Sequence, residues 1–241
     1  MDMVGELSVG YLLVASLLFV AATIAAWFAV YQTATQRHAK DTFAIVGLSG
    51  AGKTALFTQI QHGQPHCTHT SMSANHGSVQ LDSQQKPWQV VDIPGHPRLR
   101  PLYQAVLEDA QGLIFMVDST HFTRQVRDVA DCLYGVLALP KIAEQRTPVA
   151  IVCNKRDLLT ALPANNVQRQ LESEINRLRT TRGAALESHT QEASQRPHEF
   201  LGYEDKDFHF DHLPNPVVFI EFSTKNDTPE KVLAWMADIA Y

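Results

Sequence analysis

The sequence has few cysteines and no excess of basic residues, and each shortage excludes a class of protein. Three cysteines occur among 241 residues, at positions 67, 132 and 153, which is too few and too scattered for a disulfide framework. Lys and Arg number 20 against 25 Asp and Glu, so the formal net charge is -5. Nucleic-acid-binding domains normally carry a basic excess. We therefore expect a reduced cytosolic domain that does not bind nucleic acid directly.

Charge is missing altogether from residues 11–30, which read YLLVASLLFVAATIAAWFAV. At about 1.5 Å of rise per residue, a helix of this length spans ~30 Å, the thickness of a bilayer's hydrocarbon core. A cleavable signal peptide would begin with basic residues, whereas this chain begins with Asp2 and Glu6. A buried core helix is the alternative, but core helices are rarely apolar on every side over this length. The pattern favours a membrane anchor.

The residues that flank this apolar run predict the topology of the whole chain. Arg37 and Lys40 follow the run, and basic flanks stay on the cytosolic side of a membrane. The predicted organisation is a short lumenal N-terminus at 1–10, a transmembrane helix at 11–31, a linker at 32–40 and a cytosolic domain at 41–241.

Apolar runs that alternate with helical patterns predict the fold of the domain. Strands are expected at TFAIVG (42–47), SVQLD (78–82), WQVVDI (88–93), GLIFMVD (112–118), PVAIVCN (148–154) and VVFIEF (217–222). Helices are expected at 53–62, at 123–139, around 167–178 and from Thr228 and Pro229 onward. This alternation predicts an α/β domain with a mainly parallel sheet that is covered on both faces. A polar, nearly aromatic-free stretch predicts a mobile loop within 183–212.

The motif GLSGAGKT at residues 47–54 follows the first predicted strand and opens a helix. Glycines let backbone N–H groups converge on phosphate oxygens, and the N-terminus of a helix adds a favourable partial charge. The Lys53 ammonium is expected to reach the terminal phosphates and the Thr54 hydroxyl to bind Mg²⁺. The alternative, a chance glycine turn, is disfavoured by the position between a strand and a helix. The predicted phosphate contacts are Gly47, Ser49, Gly50, Ala51, Gly52, Lys53, Thr54 and Ala55.

The motif NKRD at residues 154–157 directly follows a predicted buried strand, at the edge where α/β sheets bind ligands. The Asp157 carboxylate can accept from guanine N1–H and from the exocyclic 2-amine. Adenine offers an acceptor at N1 and no 2-amine, so it would leave the carboxylate unpaired. Asn154 is expected to face the other side of the base and the Lys155 stem to lie over it. An ordinary polar turn is the alternative, but the order of the motifs favours a guanine nucleotide.

Two more motifs complete the predicted nucleotide site. Asp92 and Gly95 belong to DIPGH; we expect Asp92 to hold Mg²⁺ through a water and the Gly95 N–H to sense a γ-phosphate. FSTKN follows the last predicted strand, where Ser223, Thr224 and Lys225 could form a backbone cradle for the guanine O6. The alternative for this short motif is a loop without a ligand.

These motifs resemble those of the Ras-like small GTPases over residues 42–241, and GLSGAGKT resembles the Arf and Sar branch most. The N-terminal span, THTSMS, DIPGHPRLR and KDFHFDHLP further resemble the beta-subunit family of the signal recognition particle receptor. That resemblance implies a GTP-binding subunit in the endoplasmic reticulum membrane. It also implies an alpha-subunit partner that receives ribosome–nascent chain complexes and passes them to the translocon.

The resemblance also assigns roles to individual residues. It gives Thr70 the hydroxyl that completes the magnesium shell when GTP is bound, with Thr68 as the alternative because spacing alone does not align the loop. His96 stands where most regulatory GTPases carry the glutamine that orients the attacking water. It is either a catalytic residue that a partner positions or a surface side chain. Ser49 stands where the Ras branch keeps glycine and could obstruct a partner's arginine finger.

Two functions follow from these motifs. In the first, the chain is a binding module with slow or partner-dependent GTPase activity, in which GTP orders the segments around Thr70 and 92–101 into a surface that holds the alpha subunit. In the second, it is an Arf- or Sar-like cycling GTPase that regulates a vesicle coat or membrane traffic. The transmembrane span favours the first, since Sar-type proteins use a removable amphipathic helix instead.

Overall fold

The computed structural model describes residues 42–64, 71, 73–80, 87–188, 200–203 and 205–240, together with residue 23. The chain divides into two compact units, Met1–Lys40 and Asp41–Tyr241, and the sheet lies in the second. The predicted N-terminus, transmembrane helix and linker lie outside the described residues, Thr23 excepted. Among the helices that are described, none combines the length and the apolar character needed to cross a membrane.

Six strands of the described residues form one sheet. They are β1 (Thr42–Gly47), β2 (Asn75–Val79), β3 (Trp88–Asp92), β4 (Gly112–Asp118), β5 (Val149–Asn154) and β6 (Val217–Glu221). Their order is β2-β3-β1-β4-β5-β6, and only the β2–β3 pair is antiparallel. The central strands β1, β4 and β5 are buried almost throughout, which requires cover on both faces. The predicted mainly parallel sheet is confirmed.

Helices supply that cover on both faces. They are α1 (Lys53–His62), α2 (Gln104–Glu108), α3 (Phe122–Leu137), α4 (Pro140–Glu144), α5 (Ala164–Ser188) and α6 (Glu230–Ala240), with 3-10 turns at Pro97–Tyr103 and Phe210–His212. Alternate residues of a strand face opposite sides, so Phe43 packs with α1 and α6 while its neighbour Ala44 packs with α3 and α5. The two apolar cores are therefore separated by the sheet.

The predicted mobile loop at 183–212 is too wide at both ends. The helix α5 continues through Ser188, and residues 189–199 lie outside the described residues. Near the other end, Arg179 of α5 donates to the Leu201 carbonyl at 2.9 Å, and three apolar side chains are buried in the core: Leu201, Phe208 and Phe210. These scattered apolar residues fix the segment, although its average composition is polar.

The topology brings the predicted motifs to one edge of the sheet. The strands β1, β3, β4, β5 and β6 are parallel, so their carboxyl ends meet at the same edge. The segments that follow these ends carry the phosphate-loop, DIPGH, NKRD and FSTKN motifs. Ligands bind at this edge in open α/β sheets.

Candidate nucleotide-binding site

Glycine conformation shapes the loop between β1 and α1. Gly47, Gly50 and Gly52 have φ angles of 136°, 79° and 97°, which L side chains rarely adopt. A Cβ on Gly47 would lie 2.3 Å from the Met116 carbonyl oxygen, and one on Gly52 would lie 2.2 Å from the Asn154 amide nitrogen. The loop therefore turns tightly against β4 and β5 and leads into α1, where the N–H groups of the first turn have no intrahelical acceptor.

A cavity of about 210 Å³ lies beside this loop. Lys53, the first residue of α1, is buried, and its ammonium donates to the Leu48 carbonyl at 2.8 Å. The cavity is lined by residues 49, 50 and 52–54 of the loop, by Ser71 and by residues 92–95. The glycine-rich loop, the residue that carries the ammonium and the start of a helix border a common space, and this combination suits an anion such as a phosphate chain.

A fully buried carboxylate, Asp92, lies at one corner of this cavity. Its Oδ2 accepts from the Thr54 hydroxyl at 2.7 Å and from the Asn75 amide at 2.9 Å. Its Oδ1 is buried and has no hydrogen-bond partner among the described residues. Carboxylate and hydroxyl oxygens are the ligands that Mg²⁺ prefers, and it commonly keeps several waters. The predicted pair, Thr54 directly and Asp92 through a water, fits Mg²⁺.

The segment before β2 contributes a hydroxyl that is not among the predicted site residues. Thr70 and its alternative Thr68 lie outside the described residues. Ser71 is described, and its hydroxyl lies 3.2 Å from the Thr54 hydroxyl and accepts from the Asn75 amide at 3.2 Å. The run of hydroxyl residues in THTSMS contained this signal. The role of Asn75 did not show in the sequence, because it depends on β2 pairing Asn75 with Asp92.

Asn154 joins two loops at the end of β5. Its side chain is fully buried; the amide donates to the Ala51 carbonyl at 2.9 Å, and the amide oxygen accepts from the Thr224 N–H at 3.0 Å. The phosphate loop is thereby tied to the segment that follows β6. The sequence predicted that Asn154 faces the base. The structure adds its hydrogen bonds to the backbone of Ala51 and to the backbone of Thr224.

Asp157 and the FSTKN segment are also brought together. The Ser223 hydroxyl donates to Asp157 Oδ1 at 2.7 Å and accepts from the Lys225 N–H at 3.3 Å. The Ser223 N–H donates to Asp227 at 2.8 Å, so the turn is closed by its own side chains. Asp157 and the FSTKN segment, predicted from separate motifs, are thus joined by hydrogen bonds.

Lys155 is held by a carboxylate, Asp118, that is not among the predicted site residues. Its φ is 64°, and its ammonium donates to Asp118 Oδ2 at 2.5 Å. Burial acts to raise the pKa of the Asp118 carboxyl, but hydrogen bonds from Lys155, Thr120 and His121 outweigh it and hold that pKa well below its usual range. The position of Asp118 at the carboxyl end of β4 was the available signal.

His96 directly follows Gly95 and is not among the residues that line the cavity. Its ring is exposed, and Nδ1 accepts from the Arg98 N–H at 3.3 Å, at the start of the 3-10 turn. A Cβ on Gly95 would lie 2.5 Å from the Ser49 nitrogen and 2.7 Å from Lys53 Nζ. Only glycine therefore lets this segment approach the phosphate loop. Ala55, also predicted at the site, is half-buried in the first turn of α1.

Comparison with known proteins gives consistent matches. A family model described as "Signal recognition particle receptor beta subunit" matches residues 38–217. The mouse protein of that name is 34% identical over 234 residues, which cover 93% of this chain and 85% of the mouse protein. A solved structure of the mammalian SRP receptor is 34% identical, with a TM-score of 0.72 over 82% of this chain and 99% of the other. A structure of SRb-GDP-Mg from Chaetomium thermophilum is 26% identical, with a TM-score of 0.64 over 82% and 96%. The predicted Ras-like GTPase fold is confirmed.

Proposed function

Since the chain belongs to the signal recognition particle receptor beta subunit family, we propose that it is the membrane-anchored GTP-binding subunit of that receptor. In this proposal the GTP-bound form holds the alpha subunit at the endoplasmic reticulum membrane for co-translational protein targeting. The observation that carries the proposal is the convergence of four motif-bearing segments on one edge of the sheet. Asn154 and Ser223 join three of them, and the bond from Thr54 to Asp92 joins the fourth.

Guanine selection is proposed to lie with Asp157. One of its carboxylate oxygens accepts a hydrogen bond from the Ser223 hydroxyl. This bond fixes the orientation of the carboxylate. A positioned carboxylate discriminates strongly between bases, because a base without matching donors leaves the charge unpaired. The Lys155 stem is proposed to lie over the base, since its ammonium is anchored on Asp118 at 2.5 Å.

Phosphate and metal binding are proposed at the opposite end of the site. The phosphate loop and Lys53 would hold the phosphates, and Thr54, Asp92 and Thr70 would hold Mg²⁺, with the adjacent Ser71 hydroxyl available at the same corner. Mg²⁺ neutralises phosphate charge when it is bound. The similarity to a protein whose structure was solved as SRb-GDP-Mg supports the binding of a guanine nucleotide and of Mg²⁺. The Gly95 N–H is proposed to contact the γ-phosphate, because Gly95 lies directly against Ser49 and Lys53.

Slow or partner-dependent hydrolysis is proposed for this site. The His96 ring caps the 3-10 turn through its contact with Arg98, so it would have to leave that contact to orient an attacking water. A nucleotide that persists suits a module that holds a partner. The alternative, an Arf- or Sar-like cycling GTPase, predicts repeated turnover, whereas the proposed module predicts a partner complex in which GTP stays intact for many hours.

The membrane and partner assignments complete the proposal. Residues 11–31 are proposed to span the endoplasmic reticulum membrane once, with the GTPase domain in the cytosol. The family's name as a beta subunit supports an alpha-subunit partner, through which the ribosome and the translocon would be engaged.

Two measurements test the proposed guanine nucleotide: identification of the nucleotide that co-purifies with the chain, and the base preference of an Asp157 variant. The nucleotide that co-purifies with the chain should be GTP or GDP. Asp157→Asn should shift the preference from guanine toward xanthine nucleotides, because an amide can donate to the 2-oxo group of xanthine. Asp205→Asn, at an exposed position, removes the same charge elsewhere and should retain the guanine preference. An unchanged preference in Asp157→Asn would show that the base is recognised by other residues.

A further inference from the structure

Four side chains form a ring of hydrogen bonds at the corner of the cavity where Mg²⁺ is proposed to bind. Thr54 begins α1 after Lys53, Ser71 precedes β2, Asn75 is the first residue of β2, and Asp92 is the last residue of β3. Thr54 donates to Asp92 at 2.7 Å, and Asn75 donates to the same oxygen at 2.9 Å. Asn75 also donates to Ser71 at 3.2 Å, and the Ser71 and Thr54 hydroxyls lie 3.2 Å apart.

The two carboxylate oxygens of Asp92 differ in their hydrogen bonds. Oδ2 accepts both donors, whereas Oδ1 is buried and has no hydrogen-bond partner among the described residues. Two donors on a single oxygen fix the plane of a carboxylate. Because a buried acceptor without a partner is costly, Oδ1 is suited to accept from a water bound to Mg²⁺.

We propose that Asn75 is a positioning residue for magnesium: it fixes Asp92 so that Oδ1 is directed to a metal-bound water, and it ties the Ser71 segment to the same corner. This inference rests on the proposed function of the site. Thr54 is itself a proposed metal ligand, so Asn75 supplies the orienting contact to Asp92 that is independent of the metal.

The identity and register of residue 75 suit this role. In the antiparallel β2–β3 pair, Asn75 lies directly opposite Asp92, and side chains of opposed residues are within reach of each other. The amide of asparagine has two N–H donors, which matches its two contacts, Asp92 and Ser71. Aspartate would place a second carboxylate against the first, and alanine would remove one of the two donors to a buried charge.

A purely structural role makes a different prediction from a positioning role. If Asn75 only stabilises the start of β2, its loss should lower thermal stability and weaken nucleotide binding equally with and without Mg²⁺. If it positions Asp92, its loss should act mainly on the part of nucleotide binding that Mg²⁺ provides. The informative quantity is therefore the ratio of nucleotide dissociation rates measured in excess EDTA and in excess Mg²⁺.

The experiment measures release of a fluorescent GDP analogue from the purified full chain in both conditions. Asn75→Ala should reduce the EDTA-to-Mg²⁺ ratio about tenfold, the size expected for one hydrogen bond to a charged group. Its release rate in EDTA should stay within about twofold of wild type. Asn75→Ser, whose hydroxyl is too short to span the same distance, should behave alike and provides a second variant if Asn75→Ala does not fold. His76→Ala, at the adjacent exposed position of β2, is the matched control and should leave the ratio unchanged.

The outcomes separate this inference from the proposed function. A wild-type chain that binds no guanine nucleotide, or whose binding ignores Mg²⁺, overturns the proposed function and this inference with it. A wild-type chain with a large ratio that both Asn75 variants preserve overturns the inference alone. A loss that is equal in EDTA and in Mg²⁺ also overturns it, since Asn75 would then be structural only.

Discussion

Asn154 offers the sharpest test of how the loops of the site are assembled. Its buried side chain makes one hydrogen bond to the Ala51 carbonyl at 2.9 Å and one to the Thr224 N–H at 3.0 Å. Asn154→Ala removes these two bonds and a longer one to the Thr224 hydroxyl at 3.4 Å, and it leaves two backbone groups without their partners. A buried group that loses its partner costs ~1–3 kcal/mol, and the Thr224 N–H is only partly buried. We expect the free energy of unfolding to fall by about 3 kcal/mol without any nucleotide.

The assay is equilibrium unfolding in urea of a fragment covering residues 41–241, the second compact unit, with nucleotide removed. For a domain of this size, the same loss should lower the melting temperature by roughly 10 °C. Asn165→Ala, at an exposed position in the first turn of α5, deletes the same side chain and should change stability by less than about 0.5 kcal/mol. A loss below about 1 kcal/mol for Asn154→Ala would refute the view that this residue joins the two loops.

Three further predictions use the same fragment. Asp118→Asn should lower stability at neutral pH, and because the native pKa of Asp118 is depressed, its deficit should shrink as pH falls below about 4; a constant deficit would contradict this. Gly47→Ala should cost more than about 3 kcal/mol or prevent folding, since its Cβ would meet the Met116 carbonyl oxygen at 2.3 Å. In Gly50→Ala the new Cβ meets no atom within 4 Å, so the free energy of unfolding in urea should fall by only about 1–2 kcal/mol. Equal losses in the Gly47 and Gly50 variants would contradict the expected clash at Gly47. Burial raises the pKa of the Cys153 thiol to about 12, so peptide mass spectrometry should find it unmodified by iodoacetamide at mildly alkaline pH until the domain unfolds. Modification of Cys153 in the native fragment would be inconsistent with its burial.

The sequence predicted those helices and strands whose position depends on residues close together in the chain. The helix α1 has the predicted bounds, 53–62, because the phosphate-loop motif fixes its start and Gly63, with a φ of 72°, ends it. The continuous apolar runs of β4 and β5, residues 113–117 and 149–153, predicted buried central strands, because strands that are covered on both faces carry such runs. The order of the motifs then predicted which loops meet at the nucleotide site.

Contacts that depend on register or on distant segments could not be predicted in this way. Asn75 meets Asp92 only because of the pairing of β2 with β3, and β2 begins three residues earlier than the alternation of SVQLD indicates. The Lys155–Asp118 contact joins two strand ends that are 37 residues apart. The segment near Phe208 reads as polar loop, yet its contacts with α5 and the core place that side chain inside. In each case the deciding interaction is tertiary.

In the proposed function, a γ-phosphate and Mg²⁺ held at one edge of the sheet order the neighbouring segments into a surface that binds the alpha subunit. The most direct measurement is the affinity of the purified alpha subunit for this chain when it is loaded with a non-hydrolysable GTP analogue, loaded with GDP, or nucleotide-free. We predict tight binding to the GTP-analogue form and at least about tenfold weaker binding to the other two, a difference of ~1.4 kcal/mol. Equal affinity in all three forms would contradict the account.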